Sequence, residues 1–227
     1  MNPIFTPSPS RWTTYALLGL SVLFSVSLVE FIAYYSGRTY YDYLFWNLFL
    51  AAIPLGLSLV VRYGLTRLSN FILAALTGVW LLFFPNAPYL LTDLIHLGAN
   101  TSVPLWYDLV VLLSFAWNGL VLGLVSLQEM QAALSARLNR LVGWGFVGLT
   151  LCLGSFGIYL GRYLRWNSWD VVTNPVGIAF DVLPRLLEPT AYLSTWGMTV
   201  VFTAFLGVCY LMLSFLNAPR LPQGTAE

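Results

Sequence analysis

The sequence predicts an all-α fold: a polytopic membrane bundle of about six transmembrane helices, with a broken third helix and an outer amphipathic helix. Three observations carry this prediction. Hydrophobic residues make up 59% of the chain and charged residues 8%, with a mean hydropathy of +0.77, whereas a soluble domain carries about 25% charged residues. Six apolar stretches reach or approach the ~20 residues that a helix needs to cross a bilayer core. All ten basic residues are arginine, and they divide unevenly between the two sets of loops. The net charge of +1 leaves no electrostatic footprint for nucleic acid.

A single transmembrane domain is expected over 12–216, between cytoplasmic segments at 1–11 and 217–227. The first span, 12–35, is too long for a signal-peptide core and has no small-x-small exit, so it reads as a retained helix. The second, 43–61, contains Pro54, which should bend it. The third, 70–84, is interrupted by Pro85 and Pro88, but the apolar run goes on from Tyr89 to Leu97; the pattern predicts a broken helix over 70–97. In the fourth, 106–127, Asn118 reads as an interhelical hydrogen bond, and Gly119 and Gly123 as a close-packing pair. The fifth and sixth spans lie at 141–161 and 193–216. Cys152 and Cys209 fall inside apolar runs and read as small buried hydrophobes rather than a disulfide or metal pair.

Between the last two spans, Asn174-Pro175 carries an N-cap followed by proline in the first turn. The helix it starts, 175–188, sets Asp181, Arg185 and Glu188 along one side and Ile178, Val182 and Leu186 nearer another. That pattern predicts an interfacial helix over the mouth of the bundle.

Six spans put both termini on one side. That side receives Arg11, Arg62, Arg67, Arg137, Arg140 and Arg220 against Glu129 and Glu227. The other receives Arg38, Arg162, Arg165 and Arg185 against Glu30, Asp42, Asp93, Asp108, Asp170, Asp181 and Glu188. The arginine bias places the termini in the cytoplasm, with plain connections there and the polar cluster on the outer face.

Two segments could carry chemistry. If the chain is α-helical from Asn86, then Asn86, Tyr89, Asp93, His96 and Asn100 share one stripe, and Asp93 and His96 sit at i, i+3. Asp93 and His96 are the candidate proton-transfer groups. The plainer reading makes Asn86 a cap and Tyr89 a belt aromatic, with Asp93 and His96 in outer water. In the second segment, Gly154, Gly157 and Gly161 give a smooth helix face. Arg162 and Arg165 follow one turn apart, a spacing that forks a phosphate or carboxylate or lets both snorkel beside Trp166 and Trp169. Arg162 near the membrane interface calls for a partner, with Asp93 first and Asp170 second. Asn86, Tyr89, Arg162, Arg165, Asn167 and Asp170 are the candidate ligand-binding residues. A metal is a weak prospect: one histidine is a poor zinc set, and Asp93, Asp108 and Asp170 could form an oxygen site only if the fold gathers them. Asn100-Thr101-Ser102 fits a glycosylation sequon.

The strings Phe84-Pro85-Asn86-Ala87-Pro88-Tyr89, Thr92-Asp93-Leu94-Ile95-His96-Leu97, Gly157-Ile158-Tyr159-Leu160-Gly161-Arg162 and Arg165-Trp166-Asn167-Ser168-Trp169-Asp170 resemble an uncharacterised bacterial membrane family, domain of unknown function 1361. The resemblance implies a polytopic prokaryotic protein of the plasma membrane or thylakoid, and it implies no activity or cofactor. Three functions stay open: an enzyme or binding site at the outer face for an anionic or lipid-linked ligand; a subunit of a larger membrane complex; and a small transporter. The lipid bilayer is a partner in all three.

Overall fold

The computed structural model describes residues 9–37, 39–99 and 102–216, and among these there is helix and no strand. The helices are α1 (Pro9–Ser36), α2 (Asp42–Gly64), α3 (Asn70–Phe83), α4 (Asn86–Tyr89), a 3₁₀ segment (Leu90–His96), α5 (Leu105–Arg137), α6 (Arg140–Leu164), α7 (Asp170–Thr173), α8 (Pro175–Leu187), a 3₁₀ turn (Pro189–Tyr192) and α9 (Leu193–Leu216). Six stretches are long and apolar enough to cross a membrane, with the third running unevenly from Asn70 to His96. The chain is an integral membrane helical bundle.

α5 is its axis. It packs against α1, α2, α4, α6, α9 and the 3₁₀ segment, and it is the most buried of the spans. It continues ten residues past the predicted end at 127, because Gln128, Glu129, Met130 and the alanines that follow favour helix although they are not uniformly apolar. At 33 residues it is about 50 Å long, more than the ~30 Å hydrocarbon core. α2 runs unbroken through Pro54. Asn118 ties α1 to this axis, donating to the Ser25 hydroxyl at 2.7 Å and the Ser21 carbonyl at 3.2 Å. Tyr107 adds a bond to the Leu28 carbonyl at 2.7 Å.

The break in the third span is built from sequence as expected. Pro85 and Pro88 bring no N–H, and the Ala87 N–H bonds to the Phe84 carbonyl, so the Phe83 carbonyl takes the Asn86 side-chain amide at 2.9 Å. The kinked piece needs room on both flanks, and glycines supply it. A Cβ at Gly119 of α5 would lie 2.3 Å from the Ala87 carbonyl oxygen, and one at Gly123 3.1 Å from the Ala87 Cβ. Across from them, Gly154, Gly157 and Gly161 of α6 receive Phe84, Pro85 and the Tyr89 ring. The two glycine faces therefore clamp one broken helix between them.

α8 starts as predicted, with the Asn174 carboxamide oxygen accepting from Gly177 N at 3.1 Å. The structure sets which face turns inward. The stripe turned outward is Val176, Phe180, Leu183 and Leu187, at 53 to 77% exposure, while Ile178, Asp181 and Arg185 turn toward the bundle. Both charges have partners there: Asp181, with 39% of its side chain exposed, accepts from Trp166 Nε1 at 2.7 Å, and Arg185 lies over Tyr192 at 4.8 Å. Cys152 is likewise exposed rather than buried, and Cys209 half-buried; both thiols are free. Arg38, Asn100, Thr101, Arg220 and Glu227, and the Arg11 side chain, lie outside the described residues.

Candidate functional site

The predicted stripe does not persist as an α-helix. After Tyr89 the chain winds as 3₁₀, whose three residues per turn eclipse i and i+3. Two columns result, Tyr89 with Thr92 and Asp93 with His96, and Arg162 of α6 meets all four. Its Nη2 donates to Asp93 Oδ1, its Nε to Thr92 Oγ1 at 2.8 Å, and its Nη1 lies 3.3 Å from His96 Nε2. Its guanidinium carbon stands 4.5 Å from the centroid of the Tyr89 ring. Guanidinium only donates, so His96 Nε2 is the acceptor. Asp93 and His96 thus share Arg162; no hydrogen bond joins them to each other.

Asp93 is the first-named partner of Arg162, and it is 1% exposed. Its second oxygen accepts from Asn47 Nδ2 at 3.0 Å, so one carboxylate joins α2, the 3₁₀ segment and α6. Every nitrogen of Arg162 is committed to protein. Arg162 therefore has no nitrogen left for a fork with Arg165, one of the two readings of that spacing, and a local backbone event completes the separation. Arg165 leaves the helix in the left-handed conformation, at φ 60° and ψ 30°, as its C-terminal cap. Among the described residues it is the only non-glycine with positive φ; its backbone N–H bonds to the Leu160 carbonyl, while its exposed side chain makes no hydrogen bond or ion pair. An L-residue in this conformation costs about 1–2 kcal/mol.

Arg165 lines a cavity of about 650 Å³ between α2, α3, α6 and α8. Its polar lining is Asn47, Asn86, Tyr89, His96, Arg162, Asn167 and Ser168 beside Arg165; the remainder is apolar, chiefly leucine, aromatic rings and glycine. Asn86 donates to Ser168 at 2.8 Å, and Ser168 donates to the Leu82 carbonyl at 2.9 Å, fixing the loop after α6 to the break in the third span. Trp46 of α2 meets Trp169 edge-on with centroids 6.4 Å apart.

Asp170 belongs to that loop and not to Arg162. It accepts from Asn167 N at 2.7 Å, from Asn167 Nδ2 at 3.2 Å and from Thr173 at 3.1 Å. The Asn167 N–H, with help from Thr173, holds its carboxyl below the usual range. A depressed carboxyl stabilises the fold above its unfolded value of ~3.9 and loses that contribution as pH falls through the folded value. Asp170→Asn should remove this acid-limb dependence of the melting temperature, measured from pH 5 downward against wild type.

The three aspartates are not gathered into a metal set. Asp108 is fully buried at the start of α5, accepting from Tyr41 at 2.7 Å and Gly98 N at 2.6 Å. No group of three His, Cys, Asp or Glu among the described residues could hold an ion. Buried charge is not confined to the Arg162 end of the bundle. Arg62 pairs with Glu129, which accepts from Tyr15 at 3.1 Å as well, so two charges counted as connections form a second internal lock at the other end. The sequence signal for it was an acid within a helix that continues past its apolar span. Asn47 had a similar signal, as a lone amide between Trp46 and Leu48. Thr92 and Ser168 had none.

No curated protein and no solved structure matches the chain. One family model does, over residues 46–209, a stretch that contains Asn47, the broken helix, both glycine faces, Arg162 and Arg165. The chain belongs to that family, described as protein of unknown function DUF1361.

Proposed function

We propose that this membrane protein binds a ligand through a single anionic group at Arg165, at the outer face of the bundle with both termini in the cytoplasm. The observation that carries the reading is one unpaired arginine held in a strained backbone conformation at the polar lining of a large cavity. Strain at a non-glycine residue is retained where the side chain has a task, and a cap position that glycine fills at lower cost is occupied here by a cation. Cavities of roughly 300–1,000 Å³ with few polar groups and apolar walls are typical of small-molecule sites. Asp93 and Arg162 build the floor of the site in this reading, and Tyr89 and His96 border it. The arginine distribution over the loops supports the orientation.

Arg165→Gly separates site from scaffold. Glycine relieves the left-handed strain, so the melting temperature should rise by roughly 2 °C, while stabilisation by an added anionic amphiphile such as dodecyl phosphate is lost. A fall of several degrees instead would make Arg165 a structural residue, and an unchanged response to dodecyl phosphate would remove it from the site.

A further inference from the structure

We infer that the ligand is a lipid of the surrounding bilayer, entering sideways between α3 and α6 with its chain in that cleft and its anionic head at Arg165. This rests on the Arg165 reading. α3 packs chiefly on α2, and the side it turns to α6 is a wall of the cavity. That wall is Gly78, Leu81 and Leu82, facing Leu153, Phe156 and Leu160, without a polar side chain among them. A Cβ at Gly78 would meet no atom within 4 Å, and Leu153 is 42% exposed. Both walls belong to helices that are long and apolar enough to span a membrane. At the loop end, Ile178 of α8 and the Trp166–Asp181 bond stand over the cavity. A soluble anion would need only the polar lining. An apolar wall running away from Arg165 into the bilayer suits a hydrocarbon chain, whose burial there favours binding in proportion to its length.

The test uses the full chain in phosphatidylcholine nanodiscs, with the melting temperature followed by tryptophan fluorescence. Dodecyl phosphate should stabilise the wild type, and inorganic phosphate at the same concentration should not. Gly78→Trp and Leu153→Trp, which fill the cleft from opposite walls, should each raise the apparent Kd for dodecyl phosphate by about tenfold or more. Gly56→Trp, where a Cβ also meets open space but away from the cavity, should match wild type. If inorganic phosphate stabilises wild type and Gly78→Trp alike, the ligand is a soluble anion; the lateral route falls and the Arg165 reading stands. The route also falls if both tryptophan variants bind dodecyl phosphate as wild type does. If Arg165→Gly responds to dodecyl phosphate as wild type does, both readings fall.

Discussion

Asp93→Ala should lower the melting temperature by roughly 10 °C. The substitution leaves Arg162 almost enclosed, with 14% of its side chain exposed, and facing only Thr92, His96 and the Tyr89 ring. Removing one partner of a buried ion pair typically costs about 3–5 kcal/mol, and about 2–4 °C accompanies each kcal/mol at this chain length. Arg162→Ala should cost a similar amount, because it strands Asp93 with Asn47 as its remaining partner. The double alanine variant should lose less than the sum of the two. Asp93→Leu combined with Arg162→Met should recover most of the stability, since an apolar pair of similar volume removes the desolvation cost along with the charges. A thermal-melt series over these four variants checks the assignment. Additive losses would mean that the two residues do not act as one lock.

Gly119→Ala should destabilise by about 1–3 kcal/mol, although alanine is the better helix former. The new Cβ would lie 2.3 Å from a backbone oxygen of α4, which cannot swing away as a flexible side chain does. The same substitution at Gly148, where a Cβ meets nothing within 4 Å, should instead stabilise by up to ~1 kcal/mol through helix propensity. Opposite signs for one chemical change at two helix-interior glycines would identify the clamp on the broken helix. A gain at both positions would show that α4 does not press against α5.

How far the sequence was legible follows from which forces set each feature. Span lengths depend on local hydropathy, and five of the six are read to within a few residues. The fourth was cut short at 127 because its last ten residues are helical by propensity and packing rather than by apolar content. The glycines were readable as close approaches, but what approaches them was not, since Ala87 and Pro85 reach Gly119 and Gly157 only through the tertiary fold. Asp93 as the partner of Arg162 followed from the cost of an unpaired charge near a membrane. The separation of Arg162 from Arg165 did not. It turns on a single left-handed residue, where a helical wheel would keep both on one face. Which face of α8 meets the bundle was not legible for a related reason: the periodicity shows two sides, while the Trp166–Asp181 contact sets the inward one.

The division of labour between the two arginines is tested most directly by native mass spectrometry of the protein released from its own membrane. Wild type and the Asp93→Leu/Arg162→Met pair should carry the same anionic lipid adduct, and Arg165→Gly should be stripped of it. Retention of the adduct by Arg165→Gly, or its loss from the apolar pair while the fold persists, would contradict the assignment of Arg165 to the ligand and Arg162 to the scaffold.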